Sequence, residues 1–193
     1  MKQIIKFIFL FAFSSTLHAQ QQFTIKLNTN VEQTKDNAEI TVYRPHDHNT
    51  GRAVLALPGG AYSHLALGHE GHEWADFFNQ KGITYVVLKY RMPNGNKDIP
   101  INDALEAMKI LRDSADVWNI NPYDIGIMGS SAGGHLASTI ATCAPFTLRP
   151  NFQILFYPVI SMQEKKTHKG SMQSLLGPNP SIEEQKKYSN ENN

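Results

Sequence analysis

Hydrophobic and polar residues follow two different patterns in the stretches that predict β-strands. Residues 23–27 and 39–43 alternate apolar with polar side chains, as half-exposed strands near the edge of a sheet do. Other short runs are apolar at nearly every position, which is typical of strands covered by helices on both faces. These runs comprise Ala53–Leu57 and residues 84–88, 124–128 and 152–157.

Helical patterns separate the strands. Residues 71–80 and 101–112 repeat large apolar side chains at helical spacing, and residues 134–144 are small and apolar throughout. Ser181, followed three residues later by Glu184, predicts a capping box at the start of a last helix. Because strands alternate with helices, we expect βαβ units in one three-layer α/β domain with a mostly parallel sheet, spanning residues 20–193.

The first 19 residues have the pattern of an export signal. Lys2 and Lys6 precede an apolar run at residues 7–13, and small and polar residues follow up to Ala19. The apolar run is too short to span a bilayer. We therefore expect cleavage after Ala19 and a periplasmic or secreted protein with no stable membrane span. The alternative is a buried N-terminal strand.

The net charge of the chain limits the classes of partner that we expect. The formal net charge is +1 and no basic run occurs, which argues against binding to nucleic acid or to an anionic membrane. A small-molecule or polysaccharide substrate fits this charge balance better.

Cys143 is the single cysteine of the sequence, so no disulfide forms within the chain. The small residues of the predicted helix around it predict a buried thiol.

The strongest chemical motif is the pentapeptide Gly129-Ser130-Ser131-Ala132-Gly133, which matches G-x-S-x-G. It follows a predicted strand and opens a predicted helix, the context of a nucleophile elbow. In such an elbow a tight turn lifts the serine hydroxyl above the sheet, and the flanking residues must be small. We therefore predict Ser131 as the nucleophile, with Gly129 and Gly133 as the small residues of the elbow.

A second motif, Pro58-Gly59-Gly60-Ala61-Tyr62, follows the third predicted strand. Acyl transfer requires N–H donors directed at the developing oxyanion, and small residues let the backbone approach the substrate. We expect Gly60 and Ala61 to donate from this loop and Ala132 to donate from the elbow.

Four segments together carry a resemblance to a known family: residues 57–78, 86–93, 118–139 and 150–162. They resemble the acetyl esterase and acetylxylan esterase-like branch of the α/β hydrolases, over about residues 35–193. The resemblance implies an eight-stranded sheet, a Ser-Asp-His triad, no metal or organic cofactor, and an acetylated carbohydrate as substrate. Pro58 replaces the histidine that often opens the family's HGGG motif, and Ala61 replaces its third glycine; both changes keep the backbone donors.

The family's acid and base have no evident counterparts in this sequence. After Ser131 the chain offers His135, one turn into the helix that leaves the elbow, and His168, in a polar stretch. Neither occupies the position that the fold gives its base. We therefore expect the last two strands and helices, with the catalytic Asp and His, to be absent from this chain. We also expect near-background activity and an aggregation-prone sheet edge at residues 152–157.

Three alternatives remain open. A group of His64, His69 and His72 with two glutamates has spacing unlike H-E-x-x-H, so no metal site is expected. The chain could be a carbohydrate-binding relic without catalysis. It could also be a serine peptidase of the same fold, for which the elbow serves equally well.

Overall fold

The computed structural model describes residues 21–28 and 37–192, and the predicted export signal at residues 1–19 lies outside them. Six strands form one sheet in the order β1-β2-β4-β3-β5-β6. The strands are β1 (Gln21–Lys26), β2 (Glu39–Arg44), β3 (Ala53–Leu57), β4 (Thr84–Lys89), β5 (Ile125–Ser130) and β6 (Phe152–Phe156).

Among the described strands, β2 alone runs opposite to the others. β1 pairs with β2 and β2 pairs with β4 in antiparallel fashion, whereas β3, β4, β5 and β6 run parallel to one another. The central strands β3 and β5 are buried at every position, as their continuous apolar patterns predict. β6 is the outermost described strand beside β5; Gln153 is exposed and the other four residues of the strand are half-buried.

The described ranges contain six α-helices and two short 3₁₀ turns, of which the last two helices and the second turn follow β6. The helices are α1 (Ala75–Gln80), α2 (Asp98–Asp113), α3 (Ala115–Trp118), α4 (Ser131–Cys143), α5 (Lys169–Leu176) and α6 (Ile182–Lys187), and the 3₁₀ turns are His72–Trp74 and Asn190–Asn192.

Several helix boundaries differ from the sequence prediction. α2 begins at Asp98 rather than at the predicted residue 101, because Pro100 is tolerated in the first turn of a helix. α4 begins at Ser131 itself rather than at residue 134. The predicted capping box is confirmed: the Ser181 hydroxyl accepts from Glu184 N–H, and the Glu184 carboxylate accepts from Ser181 N–H.

The two faces of the sheet carry separate apolar clusters, which confirms the three-layer α/β architecture. Side chains alternate across β3: Leu55 belongs to the cluster that includes α2 and α4, whereas Val54 packs with α1 on the opposite face. On the α1 side, the rings of Phe78 and Tyr85 stack with centroids 4.7 Å apart. Both faces of the central strands β3 and β5 are thereby removed from water.

The predicted burial of Cys143 is wrong. Cys143 is the last residue of α4 and its side chain is exposed, while the thiol lies 3.4 Å from the Thr142 hydroxyl. The fully buried positions of α4 end with Ile140, and the last three residues of the helix are half-buried or exposed. Small-residue composition therefore predicted the buried part of the helix correctly but not its end.

Candidate active site

Three loops meet where the parallel strands β3, β5 and β6 end. In the sheet register Leu57, the last residue of β3, pairs with Gly129, and Ser130 pairs with Phe156 at the end of β6. The segments after Leu57, Ser130 and Phe156 consequently start side by side. This edge is where parallel α/β sheets bind their ligands.

The backbone at Ser131 has the geometry of a sharp turn. Ser130 is extended, with φ −115° and ψ 139°, and Ser131 follows at φ 52°. A non-glycine residue in the left-handed region is strained and persists only where its surroundings hold it. The Ser131 carbonyl is held by the N–H of Val159 at 3.0 Å. Ser131 thus lies on the strained strand-to-helix turn predicted from the motif, and its role as nucleophile stays a prediction.

Glycine at positions 129 and 133 is required by close backbone contacts. A Cβ on Gly129 would lie 2.2 Å from the Gly133 carbonyl oxygen. A Cβ on Gly133 would lie 2.0 Å from the carbonyl oxygen of Leu57, at the end of β3. Both distances are far below van der Waals contact, so any larger side chain displaces backbone in the elbow or in β3.

The loop after β3, residues 58–62 and here called the oxyanion loop, touches the elbow directly. A Cβ on Gly59 would lie 2.7 Å from the Ser130 carbonyl oxygen and 3.1 Å from Ser131 Cβ. Gly60 and Ala61 have positive φ values of 132° and 55°. Among the hydrogen bonds recorded for the described ranges, none uses the N–H of Gly60 or Ala61 as donor. These two groups are available to a ligand.

The elbow residue Ala132, predicted above as a further donor, lies at the start of a helix. Ala132 occupies the first turn of α4, where backbone N–H groups have no acceptor within the helix. The helix N-terminus also carries partial positive charge, which favours an anion nearby. The structure thus brings Ser131, the oxyanion loop and the start of α4 together, as the sequence analysis expects.

Glu70 and Tyr157 also belong to this site, although the motifs do not identify either one. The Glu70 carboxylate accepts the N–H of Gly59 at 2.6 Å and the Tyr157 hydroxyl at 2.5 Å. The hydrogen bond to this carboxylate raises the pKa of Tyr157. In the sequence, Glu70 looks no different from the nearby exposed Glu73, so pattern alone could not find it.

His135 has a structural environment. It is 1% exposed, and its ring nitrogens lie 2.9 Å from the Tyr62 hydroxyl and 2.7 Å from the Tyr188 carbonyl oxygen. His168 caps the start of α5 by accepting from Ser171 N–H. In residues 37–192, no recorded hydrogen bond joins a histidine to the Ser131 hydroxyl. Neither histidine is arranged as the base of Ser131.

We predict that His135 makes folding stability depend on pH. Burial lowers the pKa of His135 to about 4, whereas an unfolded histidine titrates near 6.5. Below pH 6.5 the unfolded state binds a proton that the folded state excludes, so stability falls until about pH 4. The expected loss is about 3 kcal/mol.

Urea unfolding of the wild type and of His135→Asn at several pH values between 7 and 4 measures this effect. The variant should lose that part of the pH dependence, whereas the exposed-site control His48→Asn should keep it. Parallel pH profiles for the wild type and His135→Asn would contradict the prediction.

The histidines considered as metal ligands have separate partners. His72 Nδ1 lies 2.7 Å from the Tyr43 hydroxyl, His64 Nδ1 lies 3.1 Å from the Ser63 hydroxyl, and His69 lies beside Glu70 at 3.7 Å. Across the described ranges, no group of three or more His, Cys, Asp or Glu side chains is arranged to hold a metal ion.

Within those same ranges, no helix has the length and apolar character needed to cross a membrane.

Comparison with known proteins identifies relatives. The family model described as the α/β hydrolase fold matches residues 54–187. An acetylxylan esterase of Xylanibacter ruminicola is 46% identical over 170 residues, which is 87% of this chain and 34% of that protein. Endo-1,4-beta-xylanase B of Butyrivibrio fibrisolvens is 32% identical over 160 residues, covering 75% of this chain and 25% of that protein.

A solved structure is similar over most of the described fold. The acetyl ester-xyloside bifunctional hydrolase from Caldicellulosiruptor lactoaceticus superposes with a TM-score of 0.76 at 29% identity, covering 84% of this chain and 64% of that one. The chain spans about a third or less of the two curated relatives. The family match contains the oxyanion loop, the elbow and most of the sheet, so this chain belongs to the α/β-hydrolase-fold family.

Proposed function

We propose that this chain supplies the nucleophile and the oxyanion donors for hydrolysis of small acyl esters, acetyl groups above all, on carbohydrate. The observation that carries this proposal is the contact between the two motifs: Gly59 of the oxyanion loop lies against Ser131, which stands at φ 52° on the elbow. Similarity to an acetylxylan esterase and to an acetyl ester-xyloside hydrolase supports the choice of substrate.

The reaction proceeds by two acyl transfers. Ser131 Oγ attacks the ester carbonyl carbon, and the N–H groups of Gly60, Ala61 and Ala132 bind the oxyanion of the tetrahedral intermediate. The intermediate collapses to an acyl-serine, and the alcohol leaves with the proton that Ser131 gave up. Water then attacks the acyl-serine and releases the acid. No metal or organic cofactor takes part in these steps.

Proton transfer limits the rate of this chain. A histidine base shuttles the proton in a triad, and its loss removes most of the catalysis, leaving the contribution of binding and the oxyanion hole. His135 and His168 are engaged elsewhere. We therefore propose that the 193-residue chain is acylated at Ser131 slowly and turns ester over at a rate near background.

Export is part of the proposal. Lys2, Lys6 and the apolar run at residues 7–13 support a signal cleaved after Ala19, and an extracellular polysaccharide substrate is consistent with it. N-terminal sequencing of protein recovered outside the cytoplasm should begin at Gln20; retention of Met1 would contradict export by this route.

Competition for acylation tests the substrate class. The rate at which p-nitrophenyl acetate acylates Ser131 is measured with and without acetylated xylobiose at millimolar concentration. We expect acetylated xylobiose to slow acylation and an N-acetyl peptide amide to have no effect. Competition by the peptide alone would favour the peptidase alternative. Sugar binding without any acylation at Ser131 would favour the binding relic.

A further inference from the structure

A carboxylate lies beside the proposed oxyanion hole. Glu70 has a side chain that is only 12% exposed, and each of its two oxygens accepts a hydrogen bond. One oxygen is 2.6 Å from Gly59 N, and the other is 2.5 Å from the Tyr157 hydroxyl. Gly59 immediately precedes Gly60 and Ala61, the donors assigned to the oxyanion.

Electrostatics alone would disfavour a carboxylate here. Negative charge develops on the substrate oxygen in the transition state, and a second negative charge nearby raises its energy. Both carboxylate oxygens of Glu70 are engaged by donors, which spreads and partly neutralises its charge. A role in holding the neighbouring loop in position therefore explains the Glu70 carboxylate better than a direct electrostatic effect on the substrate.

The Gly59 contact fixes the orientation of the oxyanion loop. A Cβ on Gly59 would lie 2.6 Å from Glu70 Oε2 and 3.1 Å from Ser131 Cβ. Gly59 is therefore packed tightly between the Glu70 carboxylate and Ser131. With the Gly59 N–H directed at Glu70, rotation of the following peptide groups is restricted. The other end of this segment is also held, because the Gly60 carbonyl accepts hydrogen bonds from the N–H groups of Ser63 and His64.

Tyr157 connects Glu70 to the other two loops. It follows β6 at φ 33°, a strained value for a residue with a side chain, and its ring is exposed. Its hydroxyl donates a hydrogen bond to Glu70 Oε1, and the residue before it, Phe156, pairs with Ser130 in the sheet register. One hydrogen-bond network, here called the Glu70 brace, therefore joins Gly59, Glu70 and Tyr157 across the ends of β3 and β6.

We propose that Glu70 is a positioning residue that sets the direction of the Gly60 and Ala61 N–H groups, and that Tyr157 fixes Glu70 relative to Ser131. This role rests on the proposed function, since it concerns the same oxyanion hole. Misplacing an oxyanion donor lowers the rate of acyl transfer without weakening substrate binding, because the oxyanion exists only in the transition state.

The test separates rate from binding. The acylation rate of Ser131 by p-nitrophenyl acetate is followed against ester concentration in Glu70→Ala, Glu70→Gln and Tyr157→Phe. We expect Glu70→Ala to lower the saturating rate by about tenfold to a hundredfold, with little change in the half-saturating concentration. Glu70→Gln keeps a carbonyl oxygen for Gly59 N–H and should recover most of the rate, and Tyr157→Phe should fall between them.

Two control variants match these changes. Glu73→Gln alters an exposed glutamate three residues away, and Tyr123→Phe removes an exposed hydroxyl; both should leave the rate unchanged. A Glu70→Ala rate equal to that of Glu73→Gln would overturn the positioning role. So would a uniform rise in half-saturating concentration at constant saturating rate.

Amide hydrogen exchange separates failure of this role from failure of the proposed function. The Gly59 amide should be protected in the wild type, unprotected in Glu70→Ala and protected again in Glu70→Gln. Equal protection in all three would overturn the Glu70 contact whatever the activity. Acylation that persists in Ser131→Ala would instead overturn the proposed function. In that case the protection of the Gly59 amide would still test the Glu70 brace. If Glu70→Ala does not fold, Glu70→Gln and Tyr157→Phe decide through the same two measurements.

Discussion

Replacing Ser131 with alanine abolishes the reaction of this chain with p-nitrophenyl acetate, so that p-nitrophenol release falls to the rate in buffer. Alanine has no nucleophilic atom to form the acyl-enzyme, while the oxyanion donors Gly60, Ala61 and Ala132 remain in place. The effect is total rather than graded because covalent attack has no substitute at this position. Release of p-nitrophenol in the first turnover, measured at enzyme concentrations above ten micromolar, is the appropriate assay.

A serine remote from the site provides the control. Ser114 precedes α3 and makes no side-chain capping hydrogen bond, so Ser114→Ala should react like the wild type. Equal rates in the wild type and in Ser131→Ala would mean that another group reacts with the ester.

Replacing Asp103 with alanine should destabilise the fold by about 3–5 kcal/mol, the usual cost of removing one partner of a buried ion pair. The Asp103 side chain is fully buried and the Arg91 side chain is 6% exposed. Asp103 accepts from the backbone N–H of Arg91 and from its guanidinium at 2.6–3.1 Å. The variant leaves a buried guanidinium and a backbone donor without this acceptor.

Urea unfolding of Asp103→Ala beside Asp113→Ala tests this prediction. Both aspartates lie on α2, but Asp113 pairs with Lys109 at the surface, and exposed pairs contribute little to stability. We expect a large shift of the unfolding midpoint for Asp103→Ala and little change for Asp113→Ala. Similar midpoints for the two variants would show that the buried pair contributes no more than the surface pair.

The sequence was sufficient for the parts of this protein that depend on local pattern. Continuous apolar runs predicted the central strands β3 and β5, and these strands are buried at every position. The G-x-S-x-G motif predicted a strand–turn–helix, and Ser131 stands at that turn with φ 52°. Such features are encoded in neighbouring residues, so one sequence reveals them.

Features that depend on contacts between distant segments could not be predicted. Glu70 meets Tyr157 across 87 residues, and nothing near either residue signals the contact. The sequence pattern of α2 gives no sign that Asp103 is buried. Its burial is explained by the ion pair with Arg91, which lies outside that helix. The exposed thiol of Cys143 depends on where the buried part of α4 ends, which composition does not specify.

Peptide mapping of the acylated chain tests the central claim most directly. The 193-residue protein is incubated with p-nitrophenyl acetate, quenched in acid, digested and examined by mass spectrometry. We predict an added acetyl group on Ser131, absent from the Ser131→Ala variant treated in the same way. Acetyl groups confined to lysines, or to other serines with Ser131 unmodified, would contradict the assignment of Ser131 as the nucleophile.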